Sequence, residues 1–459
     1  MKRAAALMVI MGLTAVVISP NVYGDSSQAD NNWPMWRGPD ATGAAPAGCN
    51  PPLTWSATEN IKWKYKLPET SDSSPVVWGD KILFLTAIPA AVEHEEMVSS
   101  DPLQQAQMDE QRQRRTSGRG RRVALVNHKF DLVCVDRQTG KLLWQTTAIE
   151  TTPHEGHHAD HGFASYSPVT DGEKIWASFG SRGTHCFDMN GKLLWSRDLG
   201  QLQTRNSFGE GSSCNLAGDA VIVTMDQEGD SFIYALNKDT GEILWKKARD
   251  ERTTWATPIP VEVNGKLQVV INAQNFIRSY DVATGDLVWQ CSGQVSNVIP
   301  TPVLGNGMVY CTSGYRGASL QAIKLGNRGD LSGTDAVAWH VTEACPYVAS
   351  PLIYENKIYV TSVTNAILSC YDAVTGKPFF VKQKLDDMRS IYSSPVGAAG
   401  RVYVVGRNGT CKVLSNSGKY EVLATNVLND PIDASPVIIG DEIYLKGDSY
   451  LYCIAEEKQ

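Results

Sequence analysis

The stretch Cys134-Val-Asp136-Arg-Gln-Thr139-Gly140-Lys-Leu-Leu-Trp144 decides the fold. An apolar run ends at Asp136, Thr139-Gly140 turns the chain, and a second apolar run ends on Trp144, so the segment reads as a hairpin. The pattern returns at Asn237, Thr240-Gly241 and Trp245. It returns again at Asp281, Thr284-Gly285 and Trp289, and at Asp372, Thr375-Gly376 and Phe380. Asp188, Gly191 and Trp195 form a copy one residue shorter. A hairpin repeated at this period predicts an array of small sheets.

A second marker fixes the phase. Ser-Pro or Thr-Pro precedes an apolar strand at Ser74, Ser167, Thr257, Thr301, Ser350, Ser394 and Ser435, and Ser213-Cys214 fills the remaining place. The markers lie 41 to 49 residues apart after a first gap of 93. Each unit then reads as strand A, a Gly turn, strand B, strand C, the Thr-Gly turn and strand D. Eight such units predict an all-β, eight-bladed β-propeller over residues 60–455. The last unit lacks strand D, and residues 60–67, with Trp63, carry the D pattern. The ring is therefore expected to close on its own N-terminal strand and to leave no open edge there.

The motif Ala-x-Asp-x-x-Thr-Gly-x-x-x-Trp resembles the tryptophan-docking motif of PQQ-like propeller repeats, and the leader Trp33-Pro-Met-Trp36-Arg37-Gly38-Pro39 resembles the entry segment of secreted members. The resemblance implies that Trp63, Trp144, Trp195, Trp245, Trp289, Trp339, Phe380 and Val422 pack against the neighbouring blade. It covers both quinoprotein dehydrogenases and BamB-like scaffolds, so it specifies a fold rather than an activity. In the dehydrogenases PQQ rests on a disulfide between adjacent cysteines; this sequence has no Cys-Cys pair and no Cys-x-x-Cys-His haem site. PQQ is therefore not expected, and a non-catalytic binding or scaffold protein is.

Residues 1–24 read as a secretory signal: Lys2 and Arg3, an apolar run of 15 residues, then Val22-Tyr23-Gly24. No cysteine directly follows the run, so the lipid anchor of BamB is not expected. Without this segment, 40 basic residues face 49 acidic ones, a net charge of −9. That balance argues against nucleic acid as a partner. The chain reads as an exported, monomeric ring with no membrane span. Residues 25–59 form an extended leader pinned by Trp33, Trp36 and Trp55. Residues 88–122 insert into blade 1, acidic at first and Arg-rich at the end. Residues 456–459 are a short tail.

Four of the eight histidines fall in His154-Glu155-Gly156-His157-His158-Ala-Asp160-His161. Imidazole and carboxylate suit a first-row divalent metal, so these four are candidate ligands, with Glu155 or Asp160. The loop joins strand D of blade 1 to strand A of blade 2. Other D-to-A loops reach the same face with Asp72, Arg205, Asn206, Glu210, Trp255, Asn297, Tyr347, Tyr392 and Asp433. A protein or small ligand is expected there, with Asn206, Trp255, Asn297, Tyr347, Tyr392 and Asp433 as candidate contacts. Cys134, Cys186, Cys370 and Cys453 share one strand-C slot with Ala235, Ser279, Ala322 and Val413. They read as small packing groups, not disulfide partners. Residues 324–334 of blade 5 read as a wider turn without Thr-Gly.

Overall fold

The computed structural model describes residues 31–90, 125–363 and 365–456. Eight sheets of four antiparallel strands form a ring, each with strand A innermost and, except in blade 4, strand D outermost. Blade 1 shows the plan: Val76–Trp78, Lys81–Pro89, His128–Asp136 and Leu142–Thr151. In blade 8, Ile61–Lys66 pairs antiparallel with Tyr450–Ile454, and Trp63 stands opposite Cys453. The N-terminal strand thus closes the ring. Among the described residues no helix is long and apolar enough to cross a membrane. The signal segment, residues 25–30 and most of the insertion lie outside the described residues. Strands B and C of blade 1 run further into the insertion than expected, to the pair Pro89 and His128.

The Ser/Thr markers form a belt around the channel. The backbone N–H of Ser74 donates to Ser167 Oγ at 3.0 Å, and Ser167 N–H to Ser213 Oγ at 2.9 Å. The relay resumes at Thr257 and passes through Thr301, Ser350, Ser394 and Ser435. Ser435 N–H donates to Ser74 Oγ at 2.9 Å and closes the circle. At the step from blade 3 to blade 4, Ser212 Oγ reaches the Ala256 carbonyl at 2.9 Å instead. Each N–H precedes a strand it cannot join, so a neighbour's hydroxyl satisfies it in the buried interior.

At the outer edge the motif works as a lock. Asp136 Oδ1 accepts the Thr139 N–H at 2.8 Å and the Thr139 hydroxyl at 2.6 Å, which fixes the turn. Gly140 has φ +69°, and a Cβ there would lie 2.5 Å from the Trp63 ring, so the ring covers the bare backbone. Trp144, Trp195, Trp245 and Trp339 sit likewise against Gly191, Gly241, Gly285 and Gly376 of the next blade. The indole N–H of Trp63, Trp195, Trp245 and Trp339 donates to the carbonyl after the motif's acidic or Asn residue: Arg137, Lys238, Val282 and Ala373. Trp144 and Trp289 have no such acceptor. They face blade 2, whose turn is a residue short, and blade 5, whose turn is replaced.

Two details differ from the sequence expectation. The slot opposite Val413 holds Ala424, not Val422, because the blade 7 turn is one residue longer and Val422 stands opposite Leu414. Residues 324–334 are more than a wide turn. Gly329–Asp330 pairs in parallel with Leu287–Cys291 as a fifth strand of blade 4, beside Trp289. Phe380 packs on Tyr420 at 5.8 Å, while Phe379 covers Gly418.

The leader is a plug for the channel end opposite the D-to-A loops. Trp33 bridges Val77 of blade 1, and the Pro34 carbonyl accepts from Thr170 of blade 2. Across the ring, Thr42, Gly43 and Ala45 bond Ile353 and Gly397 of blades 6 and 7, and Asn50 bonds Gly440 of blade 8. Between these anchors Arg37 is fully buried and donates to the carbonyls of Pro351 and Pro395. Burial pulls its guanidinium down to about 9.

All ten cysteines are buried free thiols. Trp245→Phe removes the N–H and strands the Val282 carbonyl, costing about 1 kcal/mol in chemical denaturation. Trp144→Phe costs measurably less; equal losses would refute the role of the hydrogen bond. Ser350→Ala leaves the Thr301 N–H buried without its acceptor and costs about 1–3 kcal/mol in the same assay.

Candidate functional site: a cup at the centre of the ring

The D-to-A and B-to-C loops surround a cup of about 360 Å³. The Ser/Thr belt forms its lower wall, and Trp36 of the leader is among its lining residues. The plug therefore leaves a blind cup rather than a through-channel. Aromatic rings line it on the side of blades 2 to 7: Phe208, Trp255, Tyr315 with Tyr347, and Tyr392. The Trp255 indole is fixed by its N–H to the Gly209 carbonyl at 2.8 Å. Tyr315 and Tyr347 lie 5.0 Å apart, tilted by 30°.

Three carboxylates line the cup: Asp72, Asp160 and Asp433. Arg407 clamps Asp433 through Nε at 2.8 Å and Nη2 at 2.9 Å, and reaches Asp160 at 3.1 Å through Nη1. Its guanidinium lies 4.1 Å from the centre of the Tyr392 ring. The Tyr392 hydroxyl donates to Asp160 at 3.3 Å, and burial together with Asp160 pushes that phenol up to about 12. Asp433 rises to about 6: desolvation, with Asp72 and Asp448 nearby, outweighs the Arg407 contact. Asp72 accepts from Ser165 Oγ at 2.8 Å and lies 4.0 Å from His161 Nδ1. Burial holds His161 below its ordinary value, against the pull of Asp72. Lys446, buried and donating to the Ser71 carbonyl, is pulled down to about 8 by burial, while Asp72 and its acidic neighbours oppose this.

The four loop histidines divide. His158 and His161 line the cup. His157 packs edge-on against Phe163 at 4.5 Å, with Nδ1 2.8 Å from the His158 carbonyl. His154 instead joins Glu155 and Glu210, with one candidate ligand atom from each within 4.8 Å of the others. These groups already have partners. His154 Nε2 is 2.6 Å from the Leu202 carbonyl. Glu210 accepts from Tyr166 and Ser181 and pairs with Arg182 at 3.0 Å.

Of the other expected contacts, Trp255, Tyr347, Tyr392 and Asp433 do line the cup. Asn206 is exposed on the surface, and Asn297 is buried with Oδ1 accepting from Arg205 at 3.0 Å. Neither is a lining residue. Arg407 was missed because it comes from a B-to-C loop, although strand alternation places those loops on the same face. Phe208 and Ser165 lie in D-to-A loops but carry no sequence signal that separates them from their neighbours.

Asp433 takes up its proton near pH 6 in the folded protein, against an ordinary value of 3.8. The folded state then binds more protons than the unfolded chain between those values. The group's contribution to stability therefore grows as pH falls through 6 and is absent above it. Carboxyl-carbon NMR, with the resonance assigned by Asp433→Asn, should show a midpoint near 6. A midpoint at the ordinary value would refute the environment described.

Comparison with known proteins follows the same architecture. One curated relative, tetrathionate hydrolase of Acidithiobacillus ferrooxidans, is 24% identical over 305 residues, which cover 61% of this chain and 54% of that protein. The chain thus spans about half the length of that relative. BamB from Moraxella catarrhalis superposes with a TM-score of 0.57 at 13% identity, covering 86% of this chain and 97% of BamB. Quinohemoprotein alcohol dehydrogenase from Comamonas testosteroni gives 0.59 at 10% identity, covering 95% and 82%. These structural likenesses show the fold alone. Residues 53–208, 128–382 and 229–459 match the family described as outer membrane protein assembly factor BamB, and together they span nearly the whole ring. The chain belongs to that family of PQQ-like repeat β-propellers.

Proposed function

We propose that this protein is an exported binding propeller that receives a ligand, free or presented by a partner protein, in the central cup and performs no chemistry on it. The observation that carries this reading is the cup itself: aromatic walls and a few oriented charges in a closed-bottomed cavity of about 360 Å³. That is the composition of a recognition site. The side chains inside it are engaged as recognition groups. Ser165 donates to Asp72 and not to an imidazole, and Arg407 is spent on two carboxylates. No cysteine lines the cup, so PQQ has no sulfur platform there.

A second reading has one specific observation behind it. His154, Glu155 and Glu210 present three donors close enough to hold a divalent ion, provided that the present hydrogen bonds exchange for metal bonds. Calorimetric titration with zinc would show saturable heat that His154→Ala abolishes. Heat unchanged by that substitution sinks the three-donor site.

The binding reading predicts that a small-molecule screen by thermal shift finds stabilising ligands whose effect is lost in a Trp255→Ala, Tyr347→Ala double variant. It also predicts that PQQ with calcium supports no dye-linked alcohol oxidation. Turnover under those conditions would overturn the non-catalytic reading. A screen whose hits bind the double variant equally well would remove the cup as the site.

A further inference from the structure

The charge balance of the cup narrows what it can hold. Asp72, Asp160 and Asp433 face inward. Arg407 is in direct contact with two of them, Asp160 and Asp433. Asp72 is left with the Ser165 hydroxyl at 2.8 Å and the His161 imidazole at 4.0 Å. The buried Lys446 donates to the Ser71 carbonyl. Its ammonium feels Asp72 more than any other charge, but no ion-pair contact joins the two among the described residues. The cup therefore holds a carboxylate that lines open volume with no cation in contact among the described residues.

The walls point the same way. A cation is stabilised by aromatic faces as well as by carboxylates. The cup already shows this pairing: Arg407 lies over Tyr392 at 4.1 Å while two carboxylates hold its nitrogens. Asp72 lines the same cup as Phe208 and Trp255 and has no Lys or Arg in ion-pair contact.

We infer that the cup is a receptor for a primary ammonium group on an aliphatic chain, with Asp72 as its counter-ion and the ring faces around its stem. The inference rests on the binding reading above and adds the ligand's charge and shape. A primary ammonium fits better than a quaternary one because Asp72 and Ser165 offer acceptors for N–H groups. An anion would meet a carboxylate with no Lys or Arg in ion-pair contact. The cup should therefore reject tetrathionate, the substrate in the name of the curated relative, and polycarboxylates such as PQQ.

The test uses one chain length with three charges: pentylamine, pentanol and pentanoate, titrated into the purified protein at pH 7.5 by calorimetry. Pentylamine should bind saturably, on the order of 1 mM for so small a ligand, and at least about tenfold more tightly than pentanol. Pentanoate and tetrathionate should not bind. Asp72→Asn keeps an oxygen for Ser165 and should weaken pentylamine about tenfold while leaving pentanol unchanged. Asp160→Asn, which loosens Arg407, is a second variant if the first folds poorly. Raising sodium chloride from about 50 to 500 mM should weaken pentylamine alone.

N-acetyl-lysine methylamide distinguishes the two sources of the amine. Binding as tight as pentylamine points to a lysine side chain of a partner; exclusion of the bulkier backbone points to a free amine. Pentanol equal to pentylamine, or tetrathionate the tightest of the set, overturns the inference while leaving the binding reading intact. If neither these compounds nor the screen hits depend on Trp255 and Tyr347, the binding reading fails first.

Discussion

At the entrance of every inner strand but that of blade 3, a backbone N–H has no partner within its own blade and takes a neighbour's hydroxyl. That relay runs from Ser74 through Ser167 to Ser213 and from Thr257 round to Ser435, then back to Ser74. Each blade is thereby registered against the next at the innermost radius, where strands converge and there is least room for error. The outer locks act at the other end of the same lever. A docking ring lies on a bare glycine turn, and four indole N–H groups reach a carbonyl of that turn. Inner belt and outer lock together fix the pitch between blades, and so the diameter of the cup.

The ring was legible because both devices leave marks at fixed places in every unit. Ser/Thr-Pro is written once per inner strand, and Thr-Gly with Trp once per outer hairpin. Where a unit breaks its spacing, sequence reasoning loses its footing. The blade 7 turn is one residue longer than in most units, so the slot falls at Ala424 and not at Val422. The blade 5 link looked like loose chain because two residues pairing with blade 4, Gly329 and Asp330, carry no strand pattern of their own. The unpaired indoles of Trp144 and Trp289 fall beside these departures from the repeat, blade 2 and blade 5.

The cup was only half legible, for a different reason. Its aromatic and acidic residues could be gathered because D-to-A loops share a face. The clamp of Arg407 on Asp160 and Asp433 joins a blade 7 loop to a blade 1–2 loop and a blade 7–8 loop, and no periodicity announces it. The histidine cluster shows the converse. Closeness in sequence suggested one site, yet the loop turns at His158 to His161 and sends His154 toward Glu210 while His161 goes to Asp72. The leader carries no repeat at all, so its path beneath the ring followed from nothing in the spacing.

The closing strand has a bearing on how such a molecule comes into being. Ile61 pairs with Ile454, so one of the earliest ordered segments of the chain waits for one of the latest. Until they meet, blade 8 has a bare edge and the docking ring of Trp63 has no turn to cover. Contacts of such long sequence separation form slowly, and an open edge in the meantime invites pairing with a neighbouring molecule. A chain that crosses a membrane unfolded would face this interval on the far side. Its surroundings there would have to keep copies apart until the first strand has found the last sheet.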